Sequence, residues 1–166
     1  MLNIYEDGIR EAMKSDFESG ALREVGESSK FFAPLAKAYP NYGSKIAWSK
    51  VPGSIEVPNS RSKLGGPSYF ETAKCVKFFD EIIKRFDLKG NVTYVGDSLT
   101  DFALEGSVDA IREALPQLLS IPQHHYLIGT EFSWCASWTM EGDMAFGFRP
   151  TFPDLTEERL TAKRRR

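Results

Sequence analysis

The segment from His124 to Phe148 constrains the fold of this chain more than any other, because its side chains alternate in character. Between Phe132 and Thr139, aromatic residues and alanine at even positions alternate with serine, cysteine and threonine at odd positions. A period of two is typical of a β-strand, whose successive side chains point to opposite faces of a sheet. The block Met140–Asp143 has the composition of a hairpin turn, and Met144–Phe148 alternates again. We therefore predict three consecutive antiparallel strands that form a C-terminal meander.

Four helical patterns precede this segment, with short extended segments between them. Ser68 and Glu71 form a capping box, the pattern that opens many helices. The predicted helices are Ile4–Phe17, Ser29–Ala38, Ser68–Phe86 and Val108–Ala114, and the predicted strands are Lys45–Ser49, Ser54–Val57, Val92–Val95 and Asp101–Leu104. The sum is an α+β fold in which helices pack on a mostly antiparallel sheet of four to six strands.

The composition suits a single domain in a reducing compartment. The 166 residues are 42% hydrophobic and 13% aromatic, enough for an ordinary core, and we assign residues 1–158 to that domain and 159–166 to a basic tail. Apolar runs stay below the ~20 residues of a membrane span, and charges interrupt the N-terminus, so we expect a cytoplasmic protein without a membrane partner. Cys75 and Cys135 lack the spacing of metal ligands, and adjacent histidines on a strand face opposite ways. We therefore expect buried free thiols, with one disulfide as the alternative interpretation, and neither a metal nor a cofactor.

Charge is distributed unevenly along the chain. From Asn91 to Glu158, 11 acidic residues accompany 2 basic ones, which gives this region a net charge of −9. Such a region attracts cationic surfaces and repels nucleic acid, so no nucleic-acid partner is expected. Trp134 and Trp138 also lack the surrounding Lys and Arg that a base-stacking platform needs. The alternative interpretation is a solvated acidic face that only aids solubility.

The sequence Gly96-Asp97-Ser98-Leu99 resembles the block that carries the nucleophilic serine of GDSL-type hydrolases. The resemblance implies a serine esterase with Ser98 as its nucleophile, which needs a base and oxyanion donors as well. This family has an asparagine and a DxxH motif downstream of the serine. Here no asparagine follows Asn91, and neither His124 nor His125 has an aspartate three residues before it. We favour a structural role, in which the polar side chains bond the turn backbone, and keep the hydrolase as the alternative.

Part of the C-terminal region resembles a known family of binding proteins. The residues Leu119–Ile128, Phe132–Ala136 and Met140–Gly147 look like the C-terminal signature of small bacterial immunity proteins. These proteins are associated with contact-dependent growth inhibition and other polymorphic toxin systems. The likeness covers under a fifth of the chain and includes no catalytic residue. It implies a cytoplasmic antidote, not an enzyme, that binds the toxin domain of a delivered effector, often a nuclease, and blocks its active site.

The charge pattern and this resemblance together predict a binding surface. A nuclease presents a cationic cleft to its substrate, so clustered carboxylates suit its inhibitor. An exposed aromatic side chain is a common anchor in such an interface. The predicted toxin-binding residues are Asp97, Asp101, Glu105, Glu131, Trp134, Glu141 and Asp143.

Overall fold

The computed structural model describes residues 3–43, 45–59 and 71–151. In these ranges the helices are α1 (Ile4–Ala12), α2 (Lys14–Ser19), α3 (Ser29–Ala38), α4 (Thr72–Phe86) and α5 (Val108–Leu118). The strands are β1 (Leu22–Glu27), β2 (Asn41–Tyr42), β3 (Lys45–Ile46), β4 (Ile55–Val57), β5 (Asn91–Gly96), β6 (Phe102–Ser107), β7 (His125–Gly129), β8 (Trp134–Trp138) and β9 (Met144–Phe148). The predicted basic tail and Ser68 of the predicted capping box lie outside the described residues.

Seven of the described strands form one sheet in the order β1-β6-β5-β7-β8-β9-β4, and its pairings are antiparallel. The predicted α+β class is confirmed, but the sheet exceeds the predicted four to six strands. The strand without a sequence signal is β1, in which only Leu22 is buried. An edge strand that buries one residue of six shows no alternation, and it forms here by pairing with β6.

The predicted C-terminal meander is confirmed, since β7, β8 and β9 pair in succession. The turn between β8 and β9 contains Gly142 at φ +87°, the conformation for which glycine is favoured. The strand β8 begins two residues later than predicted, because Glu131 and Phe132 adopt left-handed backbone angles of +55° and +57°. These angles end the extended chain in a 3-10 turn at Thr130–Phe132.

The sheet is covered on both faces. One hydrophobic cluster joins α1, α4 and α5 to the face that carries Trp134, Ala136 and Trp138. The other joins α3 and the segment from Tyr39 to Val51 to the face that carries Cys135. Each side of β8 is therefore buried, which explains why a strand of alternating character has no exposed residue.

Three helix boundaries differ from the predicted ones. The helix α4 begins at Thr72 and not at Ser68: Glu71 is its extended N-cap residue, and so it is not the third helical residue that a capping box with Ser68 requires. The first predicted helix is broken at Met13, whose φ of −110° separates α1 from α2. The helix α5 continues through Pro116 to Leu118, four residues past its predicted end. Leu115 and Leu118 are fully buried, and their packing offsets the hydrogen bond that Pro116 cannot donate. Cys75 and Cys135 are buried free thiols, as predicted. None of the described helices is both long and apolar enough to cross a membrane.

Candidate protein-binding surface

Four of the predicted carboxylates gather at one end of the sheet, which we call the acidic end: Asp97, Asp101, Glu141 and Asp143. Asp97 follows β5 and Asp101 precedes β6, while the other two lie in the β8–β9 turn. The antiparallel register places these connections together, because Gly96 pairs with His125 and His125 pairs with Trp138. From β6 to β9 the acidic end spans four strand intervals, roughly 20 Å at the usual strand spacing.

Hydrogen bonds from backbone amides hold two carboxylates of the acidic end in place. Oδ1 of Asp97 accepts from the His124 amide at 3.0 Å, and Oδ1 of Asp143 accepts from the Asn59 amide at 2.7 Å. The amide side chain of Asn59 also donates to the Glu141 carbonyl at 2.7 Å, so the β8–β9 turn is tied to the segment after β4. These bonds order the carboxylates of Asp97 and Asp143 within the protein itself.

The four carboxylates of the acidic end have no ion pair with a described cationic side chain. In the described ranges, none of them lies within 4.0 Å of a cationic side chain. Elsewhere, Arg10 pairs with Glu24 at 2.6 Å, and Arg112 pairs with Asp80 at 2.8 Å. The acidic end therefore combines ordered carboxylates with charges that the neighbouring described side chains leave unpaired.

Lys45 lies close enough to Glu141 to affect its pKa, although the two side chains form no ion pair within 4.0 Å. A hydrogen bond from its own backbone amide lowers the pKa of the Glu141 carboxyl, and the charge of Lys45 lowers it further. Lys45 opens β3, so the β2–β3 hairpin lies beside the β8–β9 turn. Glu141 is consequently ionised over the whole physiological pH range.

The remaining predicted residues do not belong to this surface. Glu131 lies at the opposite end of the sheet, because it follows β7, where Gly129 pairs with Val92. Glu105 sits within β6 and forms an ion pair with Arg23 of β1.

The predicted exposure of Trp134 is wrong, since only 4% of its surface is exposed. Its ring packs between Phe79 of α4 and Phe146 of β9, with ring centroids 6.3 and 5.9 Å away. Gly129 leaves the space for it, since a Cβ there would lie 2.4 Å from the indole nitrogen. Trp134 is a core residue.

Exposed apolar side chains that the sequence pattern did not single out lie near the acidic end. Tyr42 in β2 is 61% exposed and Met140 in the β8–β9 turn is 48% exposed. The backbone amide of Met140 donates to Nδ1 of His124 at 2.9 Å, which fixes its position beside the residue that binds Asp97. Tyr42 is the cross-strand partner of Lys45, and the ammonium of Lys50 lies 4.9 Å from its ring centre. These side chains supply apolar contact area next to the carboxylates.

A cleft of about 370 Å³ opens beside Asp97, between α3 and the β2–β3 hairpin. Its apolar walls come from Phe32 and Leu35 of α3 and from Ile46 of β3, and Lys45 and Asp97 also line it. The ring of Phe32 stands edge-on against Tyr126 at 5.7 Å, so the wall rests on the sheet.

The residues that resemble the hydrolase block form a closed turn. Oε1 of Gln123 accepts from the backbone amides of Ser98, Leu99 and Thr100 at 3.3, 2.8 and 3.2 Å. The side-chain nitrogen of Gln123 donates to Thr100 Oγ1 and to the Tyr94 hydroxyl at 2.8 and 3.0 Å. Amides that would have to bind an oxyanion in a hydrolase are thus occupied by a side chain of the chain itself.

The histidines are arranged for structure as well. His125 is buried, with Nδ1 2.8 Å from the Tyr94 hydroxyl and Nε2 3.0 Å from the Ile121 carbonyl. Burial lowers its pKa to about 4, so the ring is neutral at physiological pH. In the described part of the chain, neither histidine is hydrogen-bonded to the hydroxyl of Ser98, and no group of three or more His, Cys, Asp or Glu side chains could hold a metal ion.

Comparison with known proteins assigns no family to this arrangement. No protein-family model matches the sequence, and no curated protein is significantly similar to it.

Proposed function

We propose that this chain is an immunity protein, a cytoplasmic antidote that binds a cognate toxin domain, most simply a nuclease, and blocks it through the acidic end. The observation that carries the proposal is that four carboxylates gather at one end of the sheet without ion pairs to described cations: Asp97, Asp101, Glu141 and Asp143. The resemblance of the C-terminal segment to immunity proteins agrees with it.

Electrostatics supports a cationic protein as the partner. An enzyme that cleaves nucleic acid needs Lys and Arg around its active site. An acidic protein surface can bind these cationic side chains in place of the nucleic acid. Complementary charge raises the rate of association and excludes partners of the wrong sign. An antidote of this kind acts by occupancy, and it needs no catalytic residue of its own.

The order of the acidic end supports tight binding. Because backbone hydrogen bonds already hold Asp97 and Asp143, association costs less conformational entropy than it would with free side chains. Tyr42 and Met140 take the anchoring role that the sequence pattern assigned to Trp134. Aromatic residues and methionine are more frequent in protein–protein interfaces than on the rest of a protein surface.

The test begins with the neighbouring genes. We expect an adjacent gene to encode a large secreted protein with a variable C-terminal domain, and the present chain to bind that domain and restore growth of cells that express it. Affinity is measured by titration calorimetry with the purified domain and the full chain.

Two matched double variants locate the interface. Asp101→Lys with Glu141→Lys reverses two exposed charges at the acidic end, whereas Glu113→Lys with Glu131→Lys makes the same charge change away from it. We expect the first pair to weaken binding by about a hundredfold or more and the control pair by less than about threefold. Equal effects of the two pairs on affinity would show that the acidic end is not the interface. If the parent protein does not protect cells that express the toxin domain, the proposed function is wrong.

A further inference from the structure

We propose that the cleft between α3 and the β2–β3 hairpin is a receptor for one arginine side chain of the partner protein. This inference rests on the proposed function for the identity of the partner, but the cleft can be tested alone. Its chemistry combines an apolar channel with a fixed carboxylate at its edge.

The size and walls of the cleft fit one long side chain. Its volume of about 370 Å³ is at the lower end of the range of small-ligand pockets. Phe32, Leu35 and Ile46 provide the apolar walls. The methylene groups of an arginine can pack along such walls while the charged group stays at the opening.

Asp97 supplies a carboxylate whose position is set in advance. Its backbone amide donates to the His124 carbonyl at 3.3 Å, and its Oδ1 accepts from the His124 amide at 3.0 Å. This pair of bonds uses one oxygen of the carboxylate and leaves Oδ2 for another donor. Among the described residues, no cationic side chain forms an ion pair with Asp97 within 4.0 Å.

Lys45 also lines the cleft, and its charge must be accounted for. It lies close enough to Glu141 to contribute to the lowered pKa of that carboxyl, after the larger effect of a hydrogen bond from the Glu141 amide. Lys45 forms no ion pair within 4.0 Å with either Glu141 or Asp97, so the Asp97 carboxylate is available to an incoming cation.

Arginine fits this environment better than lysine does. A guanidinium is less strongly hydrated than an ammonium, and its planar face can stack on an aromatic ring such as Phe32. A guanidinium also has several N–H donors in a fixed plane, and one of them can donate to Oδ2 of Asp97. Arginine is, in addition, among the residues that contribute most to binding energy at protein interfaces.

The experiment uses the full-length labelled chain and small probes, without a toxin. Nα-acetyl-arginine amide is titrated while NMR follows the backbone amides of Gly43 and Ile46 and the side-chain amide of Asn41. The matched probes are the citrulline analogue, which has the same shape without the charge, and the lysine and leucine analogues. We expect saturable shifts with the arginine probe and at least about fivefold weaker binding of the citrulline probe.

Two pairs of variants assign the binding to the cleft. Asp97→Asn keeps the oxygen that accepts from His124 and should reduce arginine binding to the level of citrulline. Asp109→Asn, at an exposed position of α5 outside the acidic end and the cleft, should not change it. Ala36→Phe fills the cleft from an exposed position of α3 and should abolish binding, whereas Ala33→Phe, on an exposed position that does not line the cleft, should not.

The outcomes separate this inference from the proposed function. No saturable shift of the cleft residues up to about 50 mM probe, equal binding of arginine and citrulline, or tighter binding of leucine or lysine would each overturn the arginine receptor. If the cleft binds arginine but the protein neutralises no toxin, the receptor stands and the immunity function fails. If the parent protein does not bind the arginine probe and Ala36→Phe still neutralises the toxin, the function stands and the receptor fails.

Discussion

The side-chain oxygen of Gln123 lies 2.8 Å from the backbone nitrogen of Leu99, and it also accepts from the amides on either side of Leu99. A single buried side chain thereby closes the turn that connects β5 to β6. This turn carries Asp97 and Asp101 at its two ends, so the geometry of the acidic end depends on a buried residue that is not part of it.

Replacement of Gln123 by methionine should destabilise the protein by about 3 kcal/mol. Methionine has nearly the same volume, so the loss comes from hydrogen-bond donors of the turn that are left without their acceptor. The free energy of unfolding is measured by urea denaturation. Gln117→Met, at an exposed position of α5, is the control and should change stability by less than about 0.5 kcal/mol. Similar values for the two variants would show that Gln123 does not hold the turn.

Replacement of Gly96 in the hydrolase-like block should reduce the stability of the protein more than replacement of Ser98. A Cβ at Gly96 would lie 2.0 Å from the Gln123 side-chain nitrogen and 2.6 Å from Thr100 Oγ1, so Gly96→Ala must displace the buried network. We expect a loss of about 3 kcal/mol or more for Gly96→Ala and less than about 0.5 kcal/mol for Ser98→Ala, whose side chain is exposed. Denaturation measures both variants, and hydrolysis of p-nitrophenyl acetate by the parent protein that is lost in Ser98→Ala would support the esterase instead.

Local periodicity explains which parts of the fold could be predicted. The meander is encoded by alternation within about 25 residues, and Gly142 marks its turn, so the sequence alone predicts it. The pairing of β1 with β6 depends on residues that are more than 70 positions apart, such as Arg23 and Glu105. No local pattern in β1 reports that pairing.

Topology likewise decided which predicted site residues come together. The charge count finds Glu131 as readily as Glu141, but whether two connections share one end of a sheet depends on strand direction. Trp134 was predicted to be an anchor from its type, whereas its burial follows from Phe79 of α4, which packs on that face. Gln123 gave no signal, because a single glutamine between proline and histidine has no distinctive pattern.

Two buried tryptophans should respond differently to replacement by phenylalanine. The indole nitrogen of Trp48 donates to Ser137 Oγ at 3.1 Å, whereas that of Trp138 has no hydrogen-bond partner among the described residues. Trp48→Phe removes a bond and leaves the buried Ser137 hydroxyl unpaired, while Trp138→Phe removes an N–H group that is already unpaired. Although Trp138 is more deeply buried, we expect Trp48→Phe to be the more destabilising by about 1 kcal/mol in urea denaturation. A larger loss for Trp138→Phe would indicate that cavity formation dominates.

Stability should fall as the pH is lowered from 7 to 5 because of His125. Burial depresses the folded-state pKa of His125 from 6.5 to about 4, so in this range the unfolded chain binds a proton that the folded chain does not. The depressed pKa therefore favours the folded state above pH 6.5, and this contribution is lost as the pH falls towards 4. The expected loss between pH 7 and pH 5 is about 2 kcal/mol.

The comparison with His125→Gln isolates this effect. Urea denaturation of both proteins should show a pH slope that is shallower in the variant, because glutamine does not titrate. The carboxyls of Asp80 and Glu141, whose pKa values are lowered in the fold, lose their contributions only below their ordinary values of 3.8 and 4.5. Measurements above pH 5 therefore exclude them, and equal slopes for the two proteins would contradict the assignment to His125.

Association with the proposed toxin domain should depend strongly on salt, through its association rate constant. The acidic end carries its charges roughly 20 Å apart at most, so they act together on an approaching cation at low ionic strength. We expect the association rate constant to fall by about tenfold or more between 0.05 and 0.5 M salt, with little change in the dissociation rate constant. Stopped-flow fluorescence measures both constants. Glu141→Lys should flatten the salt dependence and Glu131→Lys should preserve it, because only Glu141 lies at the acidic end. A dissociation rate that carries most of the salt effect would mean that the carboxylates act in the bound complex and not in the encounter.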